Sequence, residues 1–225
     1  MIEFLPVIVL VLTFLVLLVI GVPVAWCIAI SSMFTLMVAM PISAATTTVS
    51  QRIATGLDSF ALLAIPFFIL SGQIMSKGGI ANRLISFAKT LVGFLPGGLA
   101  LINIVSAMLM GAIAGSAMAS ASAMGTILGP EMEKEGYSKE FGAAVNITSS
   151  TTGLVIPPSN TLIVYSLASG GVSIAALFLA GYIPGILTGL LMMIVAMIWS
   201  KKNNYPVGKR SSLKEIFVKF IDAFP

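Results

Sequence analysis

The stretch Gly111-Ala-Ile-Ala-Gly-Ser-Ala-Met-Ala-Ser-Ala-Ser-Ala-Met-Gly125 decides the fold, because it places small, uncharged residues in the middle of an apolar sequence. A second interruption, Ser149-Ser-Thr-Thr-Gly-Leu-Val-Ile-Pro-Pro-Ser-Asn-Thr161, follows it and also carries no charge. Irregular backbone inside a membrane persists only where protein buries it or where it lines a cavity. Two such breaks therefore predict an ion or solute site at membrane depth.

The composition is typical of a membrane protein. Hydrophobic residues make up 58% of the chain and charged residues 9%, whereas about 25% of the residues of a soluble domain are charged. No Asp, Glu, Lys or Arg occurs from Thr90 to Pro130 or from Phe141 to Ser200, and each stretch exceeds the ~20 residues that cross a bilayer once. The basic residues lie in loops and in the tail, so the net charge of +4 relates to membrane orientation and not to nucleic-acid binding.

Enzyme chemistry is not expected. The chain contains no His, which excludes Ser-His, Cys-His and His-based metal sites, and it has no Walker-type phosphate-binding loop. Its single cysteine, Cys27, lies in an apolar segment and is expected to be a small buried hydrophobe. The apolar run Phe4–Val22 follows Glu3 and is longer than the core of a signal peptide, so a cleaved leader is not expected.

The segments between breaks predict an all-α membrane protein. The predicted apolar spans are Phe4–Ile20, Val24–Met40, a short Ala61–Met75 and Ile174–Ser200, and the predicted broken segments are Leu99–Met132 and Phe141–Ala168. Pro41–Phe60 is polar and predicts a surface connection. Ile80–Leu95 and the tail from Leu213 have amphipathic stripes that suit helices in the membrane interface. An ordinary helix packed on the protein explains Ile80–Leu95 equally well.

The distribution of basic residues predicts the topology. If Leu99–Met132 enters and leaves the membrane on one side, every Lys and Arg from Lys77 to Lys219 shares that side, and only Arg52 lies opposite. The positive-inside rule makes the crowded side cytoplasmic, with the N-terminus periplasmic and the C-terminus cytoplasmic. A full crossing would divide the basic residues between the two sides, so the asymmetry favours a re-entrant hairpin.

Both breaks offer oxygen ligands for a hard cation such as Na⁺. Backbone carbonyls freed at a helix break supply such ligands, and helix N-termini at the same breaks attract an anion. The first break offers Gly115, Ser116, Ser120 and Ser122. The second offers residues 149–153 and the carbonyl groups up to Pro157, with Ser159 and Asn160 where a new helix would begin.

Close packing is the competing interpretation of the same residues. Small residues four apart, such as Ser116 and Ser120, also allow helices to approach each other closely. The Ser-Ser-Thr-Thr run can hydrogen-bond to its own helix, and the Pro157-Pro158 pair can be only a kink. The coincidence of two breaks in one chain favours binding. Packing or interhelical hydrogen bonding is the better explanation for three other polar residues in apolar segments: Gln73, Asn103 and Asn146.

A series of short motifs covers nearly the whole chain from Gly56 to Gly185. They are Gly56-Leu-Asp-Ser-Phe-Ala-Leu-Leu-Ala-Ile-Pro-Phe-Phe-Ile-Leu-Ser-Gly72, Gly78-Gly-Ile-Ala-Asn-Arg-Leu84, Val92-Gly-Phe-Leu-Pro-Gly-Gly-Leu99, Gly115-Ser116, Gly125-Thr-Ile-Leu-Gly-Pro-Glu-Met132, Gly136-Tyr137, Ile156-Pro-Pro-Ser159, Ser173-Ile174 and Pro184-Gly185. In order and spacing the series resembles the large membrane subunit of tripartite ATP-independent periplasmic (TRAP) transporters.

The resemblance implies a secondary transporter of the bacterial inner membrane. A Na⁺ gradient drives uptake of an organic acid, a periplasmic binding protein delivers that acid, and a small membrane subunit pairs with the large one. It also implies an elevator mechanism, in which a transport domain slides against a scaffold. In those terms residues 1–76 are scaffold helices with the first span beside the transport domain, and 77–98 are an arm helix. Residues 99–170 are the transport-domain hairpin and broken helix, and 171–225 are the last span and a cytoplasmic arm.

Site residues are carried over from the same resemblance. The implied Na⁺ ligands are Gly115, Ser116, Ser120, Thr152, Gly153, Val155 and Pro157. The residues implied to lie near the substrate are Ser122, Ser159 and Asn160.

The chain departs from the family pattern in two respects. Many members carry an Asp in the small-residue stretch, where this chain reads Ala117-Met-Ala-Ser-Ala-Ser-Ala123. The serine-rich version resembles the sialic-acid branch and implies N-acetylneuraminate as the substrate. Family large subunits are also longer, and this chain resembles only their first half. The second half, with its own hairpin, is therefore expected as a further partner.

Two other functions remain as alternatives. A non-transporting membrane scaffold or assembly subunit gains nothing from two interrupted spans. An ion channel would usually show a repeated filter or a ring of charged residues, and neither is visible in the sequence.

Overall fold

All regular structure in the described part of the chain is helical. The computed structural model describes residues 4–58 and 60–223, which form eleven α-helices and no β-strand. This confirms the predicted all-α class. Internal contacts divide the chain into two compact units, Met1–Phe60 and Ala61–Pro225. Each unit is considered by itself.

The first unit begins with two antiparallel apolar helices that pack on each other. Helix α1 is Leu5–Val19 and α2 is Val24–Ala39, close to the predicted bounds. Gly21, between them, has a φ of +87°, in the region that favours glycine, and so permits the tight turn. Cys27 is fully buried and its Sγ donates to the Val22 carbonyl over 3.2 Å, in agreement with its expected role as a small buried residue.

The predicted surface connection at Pro41–Phe60 contains a helix that was not predicted, α3 (Ile42–Leu57), in which only Ala45 is buried. Its polar composition hid a helical spacing of apolar residues, and Pro41 stands at the N-cap, where its fixed φ suits the start of a helix. The threonine hydroxyls bond back to the preceding turn instead of breaking it. Thr47 donates to the Ser43 carbonyl, and Thr55 donates to the Gln51 carbonyl, each over 2.8 Å.

The second unit is built around one buried helix. Its elements are α4 (Phe60–Lys77), α5 (Ile80–Val92), α6 (Gly98–Ala114), α7 (Ala117–Lys134), α8 (Lys139–Ser150), a 3-10 turn (Thr151–Leu154), α9 (Asn160–Ala168), α10 (Ile174–Lys202) and α11 (Leu213–Ala223). Most residues of α6 are buried. This helix packs against α5, α7, α8, α10 and the 3-10 turn. The two helices on either side of the first break and the helix before the second break therefore share one core.

The two amphipathic segments are both helical. Helix α5 turns its apolar face into the core, where Leu84 and Ala88 are buried, so the interpretation as a helix packed on the protein is confirmed. Helix α11 packs on α5, where the rings of Phe87 and Phe220 lie 5.6 Å apart. It nevertheless leaves apolar side chains such as Leu213 exposed.

Helix α10 is long and apolar enough to cross a membrane. At ~1.5 Å per residue it exceeds the ~30 Å of a bilayer core. Pro184 lies inside the helix without ending it. Leu179, Ile183 and Val195 on α10 are 71%, 76% and 65% exposed, which suits contact with lipid better than contact with water. Helices α1, α2 and α6 are apolar but shorter.

Candidate functional site

The first break is the tip of a tight helical hairpin. Only Gly115 and Ser116 connect α6 to α7. Gly115 ends α6 with a φ of +59°, a conformation that glycine adopts without strain. Ser116 caps α7 by accepting a hydrogen bond from the Ala119 amide over 3.4 Å. Farther from the tip, the buried Ser120 hydroxyl donates to the Ala107 carbonyl over 3.2 Å and ties the two arms together.

The second break is a stretch of non-helical backbone from Val155 to Ser159. The 3-10 turn ends before it and α9 begins after it. Two adjacent prolines prevent a normal helix here, since neither has an amide hydrogen to donate. Ser159 caps α9 by accepting from the Leu162 amide over 3.3 Å, and its hydroxyl donates to the Leu154 carbonyl over 2.5 Å. Within residues 60–223, no donor meets the carbonyl oxygens from Val155 to Pro158.

The two breaks meet, and we call their meeting point the junction (Gly111, Gly115, Ser116, Gly153, Pro158 and Asn160). The Asn160 amide donates to the Gly115 carbonyl over 3.4 Å. A Cβ added to Gly115 would lie 2.7 Å from the Pro158 oxygen, and one added to Gly111 would lie 2.5 Å from the Cα of Gly153. Glycine at 111 and 115 therefore allows the backbones of the two breaks to touch.

The junction brings helix ends of both signs together. Helix α6 and the turn that follows α8 end there, so both present carbonyl oxygens with partial negative charge. Helices α7 and α9 start there and present amide groups with partial positive charge. The side-chain oxygen Oδ1 of Asn160 is buried and has no hydrogen-bond partner among the described residues. Such an arrangement can offer oxygen ligands to a hard cation and amide dipoles to an anion.

Five of the sequence-predicted Na⁺ ligands divide into two groups by position. Gly115, Ser116 and Gly153 lie together, since a Cβ on Gly153 would be 3.5 Å from the Ser116 oxygen. The Val155 carbonyl points instead at α10, 2.5 Å from where a Cβ of Gly181 would be, and Pro157 lies against the same glycine.

Two predicted ligands are hydroxyls that already donate to backbone carbonyls of the surrounding helices. Ser120 donates to Ala107 of α6. The buried Thr152 donates to the Ser149 carbonyl over 2.7 Å. Each hydroxyl keeps lone pairs with which it can still accept.

The residues expected near a substrate are separated. Ser122 lines an open groove of about 590 Å³ between α4, α5 and α7, together with Ser116. Ser159 is fully buried, and both hydrogen bonds of its hydroxyl are to backbone groups. Asn160 lies at the junction. Ser116 thus belongs both to the junction and to the groove.

Three further polar side chains line the groove: Gln73 of α4, Asn82 of α5 and Thr126 of α7. Its volume lies in the usual range for small-molecule sites. Gln73 was interpreted from the sequence as a packing residue, and Asn82 and Thr126 were missed. The three residues lie on three different helices, and no sequence spacing joins them. An amide inside the apolar helix α4 was the one available signal.

The predicted interhelical hydrogen bonds of Asn103 and Asn146 are confirmed. The buried Ser149 hydroxyl donates to Oδ1 of Asn103 over 3.2 Å and so links α8 to α6. Asn146 donates through Nδ2 to the Ala121 carbonyl over 2.9 Å and links α8 to α7. These bonds hold the helices that carry the junction in place.

Two of three curated relatives of the chain are named as transporter permeases. The Salmonella typhimurium protein named "Uncharacterized protein YgiK" is 54% identical to this chain over 220 residues, which cover 98% of this chain and 51% of that protein. The Vibrio cholerae C4-dicarboxylate TRAP transporter large permease protein DctM is 40% identical over 201 residues, covering 87% and 44%. The Vibrio cholerae sialic acid TRAP transporter large permease protein SiaM is 36% identical over 175 residues, covering 78% and 41%.

The chain spans about half the length of these curated relatives. The family model described as "Tripartite ATP-independent periplasmic transporter, DctM component" matches residues 11–225, which is nearly all of the chain. The predicted resemblance is therefore confirmed, and the chain belongs to the DctM family of tripartite ATP-independent periplasmic transporters.

Proposed function

We propose that this chain forms the first half of the large permease of a Na⁺-coupled importer that takes up an organic acid across the bacterial inner membrane. The observation that carries the proposal is the junction, where two helix breaks touch. Among the described residues, no donor meets the carbonyls from Val155 to Pro158 or the buried side-chain oxygen of Asn160. A second half of the large subunit, a small membrane subunit and a periplasmic substrate-binding protein complete the transporter.

A cation at the junction explains why these oxygens are open. Gly115 and Gly153 contribute backbone, Ser116, Ser120 and Thr152 contribute hydroxyls, and Val155 and Pro157 are outer candidates on the α10 side. Uncharged oxygens suit a monovalent ion better than a divalent one, for which carboxylates are the usual ligands. Among the described residues no group of three or more His, Cys, Asp or Glu could hold a metal. Each Na⁺ that moves inward gains ~2.3 kcal/mol per 100 mV, which supplies the driving force.

An organic anion is the proposed solute, and the groove beside Ser116 and Ser122 is its proposed entry to the junction. The amides of Gln73 and Asn82 and the N-terminus of α7 can donate hydrogen bonds to a carboxylate and to hydroxyl groups. Relatives are named for C4-dicarboxylates, for sialic acid and for 2,3-diketo-L-gulonate. The serine-rich stretch Ala117–Ala123 favours N-acetylneuraminate, which also has many hydroxyl groups for the groove to bind. Ser159 and Asn160 would then orient the substrate from the α9 side.

The transport step is proposed to be an elevator movement. The α6–α7 hairpin and α8, which leads into the second break, share one core, which supports their moving as one body. The N-terminus is placed in the periplasm and the C-terminus in the cytoplasm, since the basic residues then lie almost entirely inside.

The test is uptake by the complete transporter in proteoliposomes. Labelled N-acetylneuraminate, a C4-dicarboxylate and 2,3-diketo-L-gulonate are compared with and without a Na⁺ gradient and the binding protein. We expect one acid to accumulate only when both are present. Uptake that persists without Na⁺, or that needs ATP, would refute the coupling, and accumulation of a different acid would refute the choice of N-acetylneuraminate.

Matched hydroxyl variants test the location of the ion. Ser116→Ala and Thr152→Ala should each lower the apparent Na⁺ affinity while leaving the fold intact. Thr188→Ala is the control, since its hydroxyl donates to the Pro184 carbonyl over 2.7 Å on α10, away from the junction. If both junction variants keep the Na⁺ dependence of the control, the ion does not bind there.

A further inference from the structure

A second polar cavity, of about 620 Å³, lies between α5, the start of α6 and the segment that leads into α11. Its position is fixed by backbone contacts. The Gly208 amide donates to the Gly93 carbonyl over 3.1 Å, and Pro96 pairs with Val207 in an antiparallel bridge. The segment around 206–211 is thus held against the α5–α6 connection, and the cavity is a defined feature of the fold.

The cavity carries an excess of positive charge. Lys89, Lys209, Arg210 and Lys219 line it, against the two carboxylates of Glu135 and Glu215. Lys219 is 3.7 Å from Asp222 and so is partly neutralised. In the part of the chain that the structure describes, the other three cations make no ion pair.

The guanidinium of Arg210 has a defined position. It lies 5.0 Å from the centroid of the Phe94 ring, a cation–π distance that fixes the side chain beside the cavity. Two lysines and a positioned arginine that converge on one space are the usual recognition set for a phosphate group.

Helix α11 lines one side of the cavity and also carries exposed apolar side chains. Helix α11 contributes Glu215 and Lys219 to the lining, while on the same helix Leu213 is 85% exposed and Phe217 is 63% exposed. A soluble ligand has no use for this apolar surface, whereas a lipid places its phosphate among cations and its acyl chains along an amphipathic helix.

We propose that this cavity binds the phosphate of an anionic phospholipid headgroup, with the acyl chains along the exposed apolar face of α11. The site is separate from the junction and the groove, and it does not depend on which solute is transported. Its lipid would hold α11 against α5 and so anchor this end of the protein at the cytoplasmic surface of the membrane.

The test is lipid binding by the purified full-length permease after delipidation in an uncharged detergent. Binding of phosphatidylglycerol and of phosphatidylcholine is measured by native mass spectrometry and by the shift in melting temperature. The variant K89Q/K209Q/R210Q removes the three unpaired cations. The control K134Q/K201Q/K202Q removes three cations that do not line the cavity. We expect the cavity variant to bind phosphatidylglycerol at least about tenfold more weakly, and the control to bind it like the wild type.

Equal losses in the two triple variants, or equal binding of the two lipids by the wild type, would overturn the proposal. Inorganic phosphate distinguishes the source of the phosphate group. If it stabilises the wild type as much as phosphatidylglycerol does, with the same dependence on the cavity cations, the ligand is soluble and the lipid assignment is wrong. The double variant L213S/F217S, at exposed positions, should weaken phosphatidylglycerol binding without changing the response to inorganic phosphate. An unchanged lipid affinity in that variant would also count against the proposal.

Discussion

Replacing Gly111 by alanine tests the contact between the two breaks most directly. A Cβ at this position would lie 2.5 Å from the Cα of Gly153 and 2.9 Å from its nitrogen. Carbon atoms pack at about 3.5–4.0 Å, so the two segments would have to separate by about 1 Å. Both contacts are to backbone, which cannot rotate away as a side chain can.

The expected cost follows from two opposing effects. Overpacking of this kind costs about 1–3 kcal/mol, and the better helix propensity of alanine returns at most about 1 kcal/mol. Gly129→Ala in α7 is the matched control, because a Cβ there meets nothing within 4 Å and only the propensity gain remains. The two variants should therefore differ by about 1–3 kcal/mol, or about 2–12 °C in melting temperature for a chain of this size.

The assay is thermal unfolding of the purified protein in detergent, with and without Na⁺. Gly111→Ala should melt below Gly129→Ala and respond less to Na⁺, because the carbonyls on the two sides of the junction move apart. If Gly111→Ala melts as high as Gly129→Ala, the backbones do not touch as described. If it melts lower but responds to Na⁺ like the wild type, the contact stands and the ion lies elsewhere.

Three further predictions concern the surroundings of the junction. Asn103→Leu removes the acceptor of the buried Ser149 hydroxyl and should lower the free energy of unfolding by about 1–3 kcal/mol, measured by thermal unfolding; an unchanged stability would show that the bond contributes nothing. Gln73→Ala and Asn82→Ala should each raise the KM for the solute and leave the apparent Na⁺ affinity unchanged, and kinetics in proteoliposomes would contradict the groove assignment if only the Na⁺ affinity changed. Burial raises the pKa of Tyr137 from 10.0 to about 12, so stability from this group is complete below pH 10 and is lost as the pH rises toward 12. Tyr137→Phe should flatten that part of the pH–stability curve, and an unaltered curve would refute the assignment.

Residues that start or end helices explain why most of the fold could be predicted from the sequence. Glycines, prolines and cap residues act within one or two helical turns, so the turn after α1, the tip at Gly115 and the break at Pro157 are all written in neighbouring residues. The same reliance on local residue types did not predict a helix for α3. Its hydroxyl-rich composition resembles a loop, and only the bonds from Thr47 and Thr55 to the preceding turn show why a helix tolerates it.

The site could be predicted only in part, because side-chain direction depends on tertiary packing. Ser159 has a hydroxyl group that could contact a substrate, yet this hydroxyl is turned inward and caps α9. Gln73 and Asn82 line the groove with α7 only because three helices pack together there. No spacing along the chain predicts that arrangement. The sequence indicated that the two breaks meet, because both interrupt apolar segments without a charged residue. It did not indicate that Gly111 and Gly115 permit the backbone contact between them.

The opposed helix ends that meet at Gly115 and Asn160 leave the junction itself close to electrical balance. A lone cation entering it would add an uncompensated charge in surroundings that solvate ions poorly, and a lone anion would do the same with opposite sign. When a cation and an anion bind together, the site stays neutral. Each ion then raises the binding affinity for the other, by the same factor in both directions. A fixed ratio of ion to solute would in that case arise from charge compensation alone, without a separate conformational change to couple their binding.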